Sequence, residues 1–142
     1  FYFRPTLFKN KLHKGLYKRS NLLYLFWYFI TFGSYRILYI RHRDSLEIAH
    51  FSNIIPKFFK YHFMNQSDLQ IANCFTYKRY RGKQLYSFAL SEINKKFKDS
   101  IIWIGSHASN FSSIKVIERL GFEKMFDVEK RTVFGIYYKI NE

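Results

Sequence analysis

The chain has 142 residues, of which 48% are hydrophobic and 22% are aromatic, with 24 Lys and Arg against 10 Asp and Glu. The length predicts one domain across residues 1–142, and the apolar content supports a packed core and excludes a disordered segment. The net charge of +14 predicts an acidic partner, which could be nucleic acid, an anionic membrane or a multiply phosphorylated ligand.

Cysteine and histidine usage excludes further classes of protein. Cys74 is the single cysteine, which rules out an internal disulfide framework and predicts a reducing compartment such as the cytoplasm. The five histidines are scattered without zinc-ligand spacing, so no metal is expected. The apolar run 22–32 is shorter than the roughly 20 residues that a membrane span needs, and it lacks the cleavage site of a signal peptide.

The first 20 residues carry six basic side chains and no acidic one. Charge runs of this kind predict a solvated, partly extended segment, and the alternative is a basic patch that meets an acidic partner. Ser20 or Asn21 is then placed to cap a helix that continues to about Thr31. This helix is apolar on nearly every side, which predicts burial in the core, with a substrate-binding wall or a dimer contact as the alternative.

Alternation and turn residues divide the remainder into strands and helices. Residues 34–40 and 46–54 predict a hairpin whose second strand ends near Pro56. A basic aromatic loop follows at 57–66. The later elements are a strand at 68–76, a helix at 85–97, a short buried strand at 100–106, a helix from 110 that stops at Gly121, and a hairpin of 122–128 with 132–140 across 129–131. This order predicts an α/β (α+β) fold, in which a mixed sheet carries helices on its faces.

The stretch from Thr76 to Tyr86 joins a predicted strand to a predicted helix. It reads Thr-Tyr-Lys-Arg-Tyr-Arg-Gly-Lys-Gln-Leu-Tyr, a cationic turn with one glycine. Free backbone N–H groups at a helix start point outward, and the helix dipole favours an anion there. The turn is therefore predicted to bind phosphate, and a solvated basic turn is the alternative.

Two segments together resemble the GCN5-related N-acetyltransferase (GNAT) superfamily. Residues 80–86, Tyr-Arg-Gly-Lys-Gln-Leu-Tyr, are similar to its pyrophosphate loop Tyr-Arg-Gly-Lys-Gly-Ile-Gly, with Gln84 and Tyr86 in place of glycines. Asn110, Ser113 and the run Glu-Arg-Leu-Gly-Phe at 118–122 are similar to its Asn-x-x-Ala and Glu-Lys-Leu-Gly-Phe segment at the same spacing. The resemblance implies an acyl-CoA N-acyltransferase-like fold with a mostly antiparallel sheet, splayed central strands and helices on both faces.

The resemblance also implies how acetyl-CoA binds. The coenzyme would lie in the gap between the splayed strands, where the main chain of Phe75 and Thr76 pairs with the pantetheine arm. Asn110 would touch the same arm, and a plain helix cap is its alternative role. The pyrophosphate would be held by backbone N–H groups of Arg81, Gly82, Lys83, Gln84, Leu85 and Tyr86.

Catalytic residues are less clearly marked. Many superfamily members have a Tyr that acts as the acid seven residues after the Asn, and Ile117 stands there in this chain. Glu47 and His50 lie on the strand expected to face the acceptor, and His107 follows the short strand, so each is a candidate base. A rim residue and a core histidine are the alternatives. Cys74 is expected to be a small core residue, because no histidine is paired with it locally.

The resemblance implies an N-acetyltransferase that moves the acetyl group of acetyl-CoA to a primary amine by direct attack. A looser resemblance to bacterial GNAT-like proteins of surface-polysaccharide biosynthesis implies an amino sugar or sugar nucleotide as acceptor, and a homodimer is allowed. The main rival is a non-catalytic basic module in which aromatic residues of 57–63 stack on nucleic acid bases. A fold that keeps the coenzyme site but has lost transfer is a third alternative.

Overall fold

The computed structural model describes residues 1–13, 20–131 and 135–140. Five strands form one sheet in the order β1-β2-β3-β4-β5, and neighbours pair antiparallel except for β4 and β5, which are parallel. A separate two-stranded antiparallel sheet pairs β6 with β7. The elements are β1 (Tyr2–Phe3), α1 (Ser20–Ile30), β2 (Arg36–Arg41), β3 (Ile48–Pro56), β4 (Leu69–Thr76), α2 (Leu85–Lys96), β5 (Ile102–Ile104), α3 (Phe111–Arg119), β6 (Val128–Lys130) and β7 (Tyr137–Lys139).

The five-stranded sheet carries helices on both faces, as the sequence predicts. Side chains alternate along β2, so that Ile37 and Tyr39 join the core on one face and Leu38 joins the core on the other. α1 packs on the first face through Tyr24 and Trp27. α2 covers the second face, and α3 packs beside it. Their contributions to that core are Ala89, Leu90, Ile93, Val116, Ile117 and Leu120.

The N-terminal segment packs against the protein at residues 2–3 and 10–13, where the prediction of a solvated segment is wrong, whereas residues 6–9 are exposed. β1 forms the edge strand beside β2. The ring of His13 stacks on Phe51 with centroids 3.8 Å apart, and its Nδ1 lies 2.8 Å from the Tyr39 hydroxyl. Burying these rings is favourable, while the basic side chains keep their charged ends in water. Residues 14–19 of the same predicted segment lie outside the described residues.

The predicted helix at the start of the chain is confirmed as α1, but its burial is one-sided. Tyr24 and Trp27 are buried, whereas Leu22 and Phe29 are exposed. These last two residues are seven positions apart and therefore share one face of the helix. The helix contacts the sheet along one face alone. The prediction of burial is therefore confirmed for that face and wrong for the outer face.

The C-terminal hairpin is displaced from its predicted position. β6 begins at Val128, so the predicted turn at 129–131 falls mostly within a strand. Residues 122–127 form no strand. An apolar residue of this stretch is used in packing instead, because the ring of Phe126 contacts Phe63 and Trp103 with centroids 5.0 and 5.7 Å apart. Residues 132–134 of the second predicted strand lie outside the described residues.

The end of α3 is formed as the sequence predicts. Gly121 has φ +85°, its N–H donates to the Glu118 carbonyl at 2.9 Å, and the Phe122 N–H donates to the Ile117 carbonyl at 3.3 Å. This pair of bonds is a Schellman motif, which needs the left-handed conformation that glycine adopts most easily. α3 therefore ends at this position, and the chain leaves the helix axis after Gly121.

β4 and β5 part after a short contact. Their pairing is limited to Leu69–Ile71 of β4 and Ile102–Ile104 of β5, although β4 continues to Thr76. On the other side of β4 a β-bulge places Ser52 opposite two residues, with Asn73 at φ +47°. Such a bulge bends the strand and increases its twist. The second half of β4 therefore diverges from β5, and the predicted splay is present.

Candidate active site

The turn between β4 and α2 presents main-chain donors at a helix start. A short 3₁₀ turn at Lys78–Tyr80 follows β4, and the first bond of α2 runs from the Phe88 N–H to the Gln84 carbonyl at 3.0 Å. The side chain of Gln84 makes no capping hydrogen bond. The N–H groups of the first helical turn are therefore left for a ligand, and the helix dipole favours an anion there.

Two residues of this turn have left-handed backbone conformations. Gly82 has φ +78°, and a Cβ built on it would meet no atom within 4 Å. Gln84 has φ +55° and ψ +20°, a region that a non-glycine residue enters at some cost. Gln84 thus adopts the left-handed conformation that a glycine would adopt more easily. The open space over Gly82 is where an anion can approach the main chain.

The four cations of the turn differ in how they are engaged. Arg79 forms an ion pair with Glu47, and Arg81 folds back so that its Nε donates to the Thr76 carbonyl at 3.2 Å. Lys83 is exposed, with Nζ 5.8 Å from the centroid of the Tyr80 ring. Arg79 and Arg81 therefore help to shape the turn, whereas Lys83 and Lys78 are exposed to solvent.

Glu47 joins the β2–β3 hairpin to this turn. Its Oε2 accepts from the Tyr80 hydroxyl at 3.0 Å and from Ser45 Oγ at 3.3 Å, and it pairs with Arg79. Tyr80 is buried, and its ring lies beside that of His42 with centroids 5.7 Å apart. The structure thus brings the candidate base Glu47 to the rim of the turn, where half of its side chain is exposed.

His50 is buried on β3 next to the last residue of β4. Its Nδ1 lies 2.7 Å from Thr76 Oγ1, and its Nε2 lies 2.8 Å from Ser52 Oγ. Burial lowers the pKa of His50 to about 4, so the ring is neutral at neutral pH. Both nitrogens are already engaged, which favours the alternative interpretation of His50 as a core histidine that holds β3 against β4.

Two residues that differ from the superfamily motifs are neighbours in the structure, Tyr86 in place of a glycine and Ser113 in place of an alanine. The Tyr86 hydroxyl in the first turn of α2 lies close to Ser113 in the first turn of α3. Burial and the neighbouring Cys74 raise the pKa of Tyr86, so the phenol stays protonated. Burial also raises the pKa of Cys74 to about 11, against a smaller opposite effect of a hydrogen bond to Ser52. A protonated thiol agrees with a structural role for Cys74.

Asn110 and His107 lie where the chain leaves β5 and enters α3. Asn110 caps this helix, because its Oδ1 accepts from the Ser113 N–H at 3.4 Å and from Ser112 Oγ at 3.1 Å. His107 is exposed and its Nδ1 accepts from the Ser109 N–H at 3.3 Å. That bond leaves the proton of a neutral ring on Nε2. The cap role of Asn110 does not prevent contact with a coenzyme arm.

Phe75 and Thr76 occupy the end of β4 beyond its contact with β5. Among the described residues, positions 72–76 have a partner strand on the β3 side alone. Sequence reasoning thus located the turn and the gap. It missed Tyr80, Ser52 and the bulge at Asn73, for which the sequence offers no local pattern, because their roles depend on the register of β3 against β4.

Solved structures of acetyltransferases share this fold. A predicted acetyltransferase from Clostridium acetobutylicum, solved with acetyl-CoA, is 12% identical over 86% of this chain and 80% of its own, with a TM-score of 0.60. The aminoglycoside antibiotic 6′-N-acetyltransferase AAC(6′)-IG from Acinetobacter haemolyticus is 12% identical over 88% and 86%, with a TM-score of 0.59. A protein described as a GNAT-family acetyltransferase from Bordetella pertussis is 18% identical over 88% and 76%, with a TM-score of 0.62.

These likenesses establish the fold, which is that of acetyltransferases of the GNAT type. No family model matches the sequence, and no curated protein matches it. Within the described ranges, no helix is both long and apolar enough to cross a membrane. The same ranges contain no group of three or more His, Cys, Asp and Glu arranged to hold a metal ion.

We expect His50 to make stability depend on pH. Its pKa is lower in the folded protein, about 4, than the 6.5 of an unperturbed histidine, so the unfolded chain takes up the proton first as the pH falls. The contribution of the neutral ring is complete above pH 6.5 and is lost toward pH 4. Between pH 7 and 5 the loss should be about 2 kcal/mol. Urea unfolding of wild type and His50→Gln measures it.

The His50→Gln variant should lose about 2 kcal/mol less than wild type over this interval. Its difference from wild type at pH 7 reports the change in packing and hydrogen bonding separately. Equal pH dependence of the two proteins would show that the His50 ring is not held neutral by the fold.

Proposed function

We propose that the protein is an N-acetyltransferase that uses acetyl-CoA and transfers the acetyl group to a primary amine by direct attack. One observation carries the proposal. A helix start with outward main-chain N–H groups follows directly on a strand whose last residues, 72–76, diverge from β5. A diphosphate and an extended polar arm are the two parts of a coenzyme A molecule that such a turn and such a strand can hold.

The residues present fit this coenzyme. The N–H groups of Arg81, Gly82, Lys83, Gln84, Leu85 and Tyr86 are proposed to bind the pyrophosphate. Lys83 adds a flexible positive charge, and the open space over Gly82 admits the anion to the main chain. The main chain of Phe75 and Thr76 is proposed to pair with the pantetheine arm as an added strand would. Asn110 is proposed to contact the arm while it caps α3.

When bound, acetyl-CoA supplies an acetyl thioester that an amine can attack. The chain's own contribution is to fix the reactants and to provide main-chain N–H donors along the diverging half of β4 for the carbonyl oxygen. The Tyr usual at position 117 is Ile117, so the departing sulfur finds no phenol there. Loss of transfer in a protein that still binds the coenzyme remains the alternative that an activity assay decides.

We propose Glu47 as the base that takes the proton of the acceptor ammonium, directly or through water. Among the described residues Oε1 of Glu47 has no hydrogen-bond partner, whereas His50 is engaged at both nitrogens. His107 is the third candidate, and its Nδ1 accepts from the Ser109 N–H. Of the three, Glu47 can accept a proton without breaking a hydrogen bond, and the ion pair with Arg79 fixes its position.

The acceptor is proposed to be an amino sugar, carried on a nucleotide. The aminoglycoside acetyltransferases among the similar folds act on amino sugars, and this supports the sugar part. The net charge of +14 favours an anionic acceptor such as a sugar nucleotide over a polycation. Thiol release with purified protein against amines, amino sugars and nucleotide-linked amino sugars should be fastest with the last group. Preference for a polycationic aminoglycoside would contradict this choice.

Nucleic acid binding is the weaker function for this fold. Three aromatic residues of 57–63 that could stack on bases are used within the protein, and Phe59 is 43% exposed. Phe58 is buried, Tyr61 stacks on Tyr137 with centroids 5.2 Å apart, and Phe63 packs against Trp103 and Phe126. Rings engaged in this way are not free to form a stacking platform.

Gly82→Val should weaken coenzyme binding about tenfold or more, because a β-branched residue resists φ +78° and its side chain would occupy the open space over the turn. Titration calorimetry with coenzyme A measures the dissociation constant. Gly121→Val is the matched control, since Gly121 has φ +85° with equally open surroundings at the end of α3. Both variants should lose roughly 1–2 kcal/mol of stability. Equal coenzyme binding in the two would count against the turn as the phosphate site.

Glu47→Gln should lower kcat about 100-fold, because a glutamine cannot take the ammonium proton. Arg79→Gln is the control, since it breaks the same ion pair but keeps the carboxylate. This control should keep kcat within a few-fold of wild type, and in both variants KM for acetyl-CoA should rise as the turn loosens. Equal losses of kcat in the two variants would show that Glu47 positions the turn and is not the base.

A further inference from the structure

Two exposed turns project from one end of the five-stranded sheet. β1 pairs antiparallel with β2 with Phe3 opposite Ile37, so Arg4 and Arg36 follow as neighbours at the end of this ladder. The chain leaves β1 at that end through residues 5–10, and it enters β2 at the same end through residues 31–35. The Tyr35 hydroxyl joins the two segments, because it donates to the Asn10 carbonyl at 2.8 Å.

Each turn carries a phenylalanine at its tip. Phe8 is 98% exposed in a turn closed by the Thr6 N–H and the Lys9 carbonyl at 3.0 Å. Phe32 is 94% exposed, with φ +49°, in the turn that ends α1. Leu7 and the outer α1 residues Leu22 and Phe29 are also exposed. The left-handed conformation of Phe32 has an energetic cost, and its exposed side chain contributes almost no packing to offset that cost.

The stretch of chain that forms these two turns carries charge of one sign. Residues 1–43 contain no Asp or Glu, and the first acidic residue is Asp44, at the other end of β2. Arg4, Lys9 and Arg36 surround the two turns, and Arg36 is anchored because its Nη1 donates to three main-chain carbonyls between Gly33 and Tyr35. We call Arg4, Leu7, Phe8, Lys9, Phe32 and Arg36 the basic aromatic end.

We propose that the basic aromatic end docks the protein on the surface of an anionic lipid bilayer. The rings of Phe8 and Phe32 enter the boundary between headgroups and acyl chains, and the basic residues contact the anionic headgroups. A second copy of the chain fits this surface poorly, because a symmetric contact would bring two acid-free clusters of arginine and lysine together. Phenylalanines at the tips of two separate turns are also a poor match to the continuous groove that single-stranded nucleic acid occupies.

Docking in this way leaves the candidate active site in water. Ile40 pairs with His50, and His50 pairs with Thr76, so the turn after β4 lies at the end of the sheet where β2 finishes. The basic aromatic end lies where β2 begins. The two surfaces are therefore at opposite ends of the sheet, and the inference does not depend on the proposed function.

Flotation with lipid vesicles tests the proposal. The full chain is mixed with phosphatidylcholine vesicles or with vesicles that contain about three-tenths phosphatidylglycerol, and the bound fraction is measured after centrifugation. The protein should bind the anionic vesicles alone, and about 0.5 M salt should release most of it. The double variant Phe8→Ser with Phe32→Ser should lower the vesicle partition constant about tenfold or more.

Phe111→Ser is the matched control, because Phe111 is 70% exposed at the start of α3, away from the basic aromatic end. It should bind vesicles as wild type does. Arg4→Gln with Lys9→Gln keeps both rings and should also weaken binding to anionic vesicles several-fold. This second pair tests the surface even where the phenylalanine variant folds poorly.

Three results would overturn the proposal. The first is equal binding of wild type and both double variants to anionic vesicles. The second is a wild-type dimer in sedimentation velocity, with no vesicle binding, that the phenylalanine variant converts to a monomer. The third is salt-sensitive capture of a single-stranded oligonucleotide by a protein that does not float with either vesicle.

Discussion

The limited pairing of β4 with β5 is the constraint on which the candidate site depends. Three residue pairs hold the two strands together, and then β4 continues alone to the turn that opens α2. The bulge at Asn73 bends β4 at this point, while β3 keeps its hydrogen bonds to the rest of the strand. A gap therefore forms beside a strand that is otherwise firmly held, and the gap leads directly to a helix start.

Around this gap the protein maintains polar groups in neutral form. The His50 ring is neutral and bridges Thr76 and Ser52, and the raised pKa values of Cys74 and Tyr86 keep the thiol and the phenol protonated. Uncharged groups with hydrogen-bond partners can be buried at a tolerable cost, whereas isolated charges there would be expensive. The charged residues lie instead at the rim, where Glu47 and the basic side chains of the turn remain in contact with water.

The basic composition alone is a poor guide to where an anion would bind. In the turn, Arg79 is paired with Glu47 and Arg81 is bonded to the Thr76 carbonyl, so two of its four cations stabilise the loop itself. The attraction for a phosphate then rests on main-chain N–H groups, with Lys83 as an addition. At the opposite end of the sheet the basic residues surround exposed aromatic rings. Positive charge at that end is suited to the proposed contact with an anionic bilayer and not to a single phosphate group.

The sequence by itself determined the order of most elements, the strand–turn–helix at Thr76–Tyr86 and the glycine stop at Gly121, because each is fixed by periodicity or by a local backbone requirement. It also indicated the fold class through two short motifs. The tertiary structure alone decided that Tyr2–Phe3 form the edge strand of the sheet, that the last hairpin begins at Val128, and that His50 is buried between two hydroxyl groups. These outcomes depend on strand register and on contacts between residues far apart in the chain, and no local pattern records them.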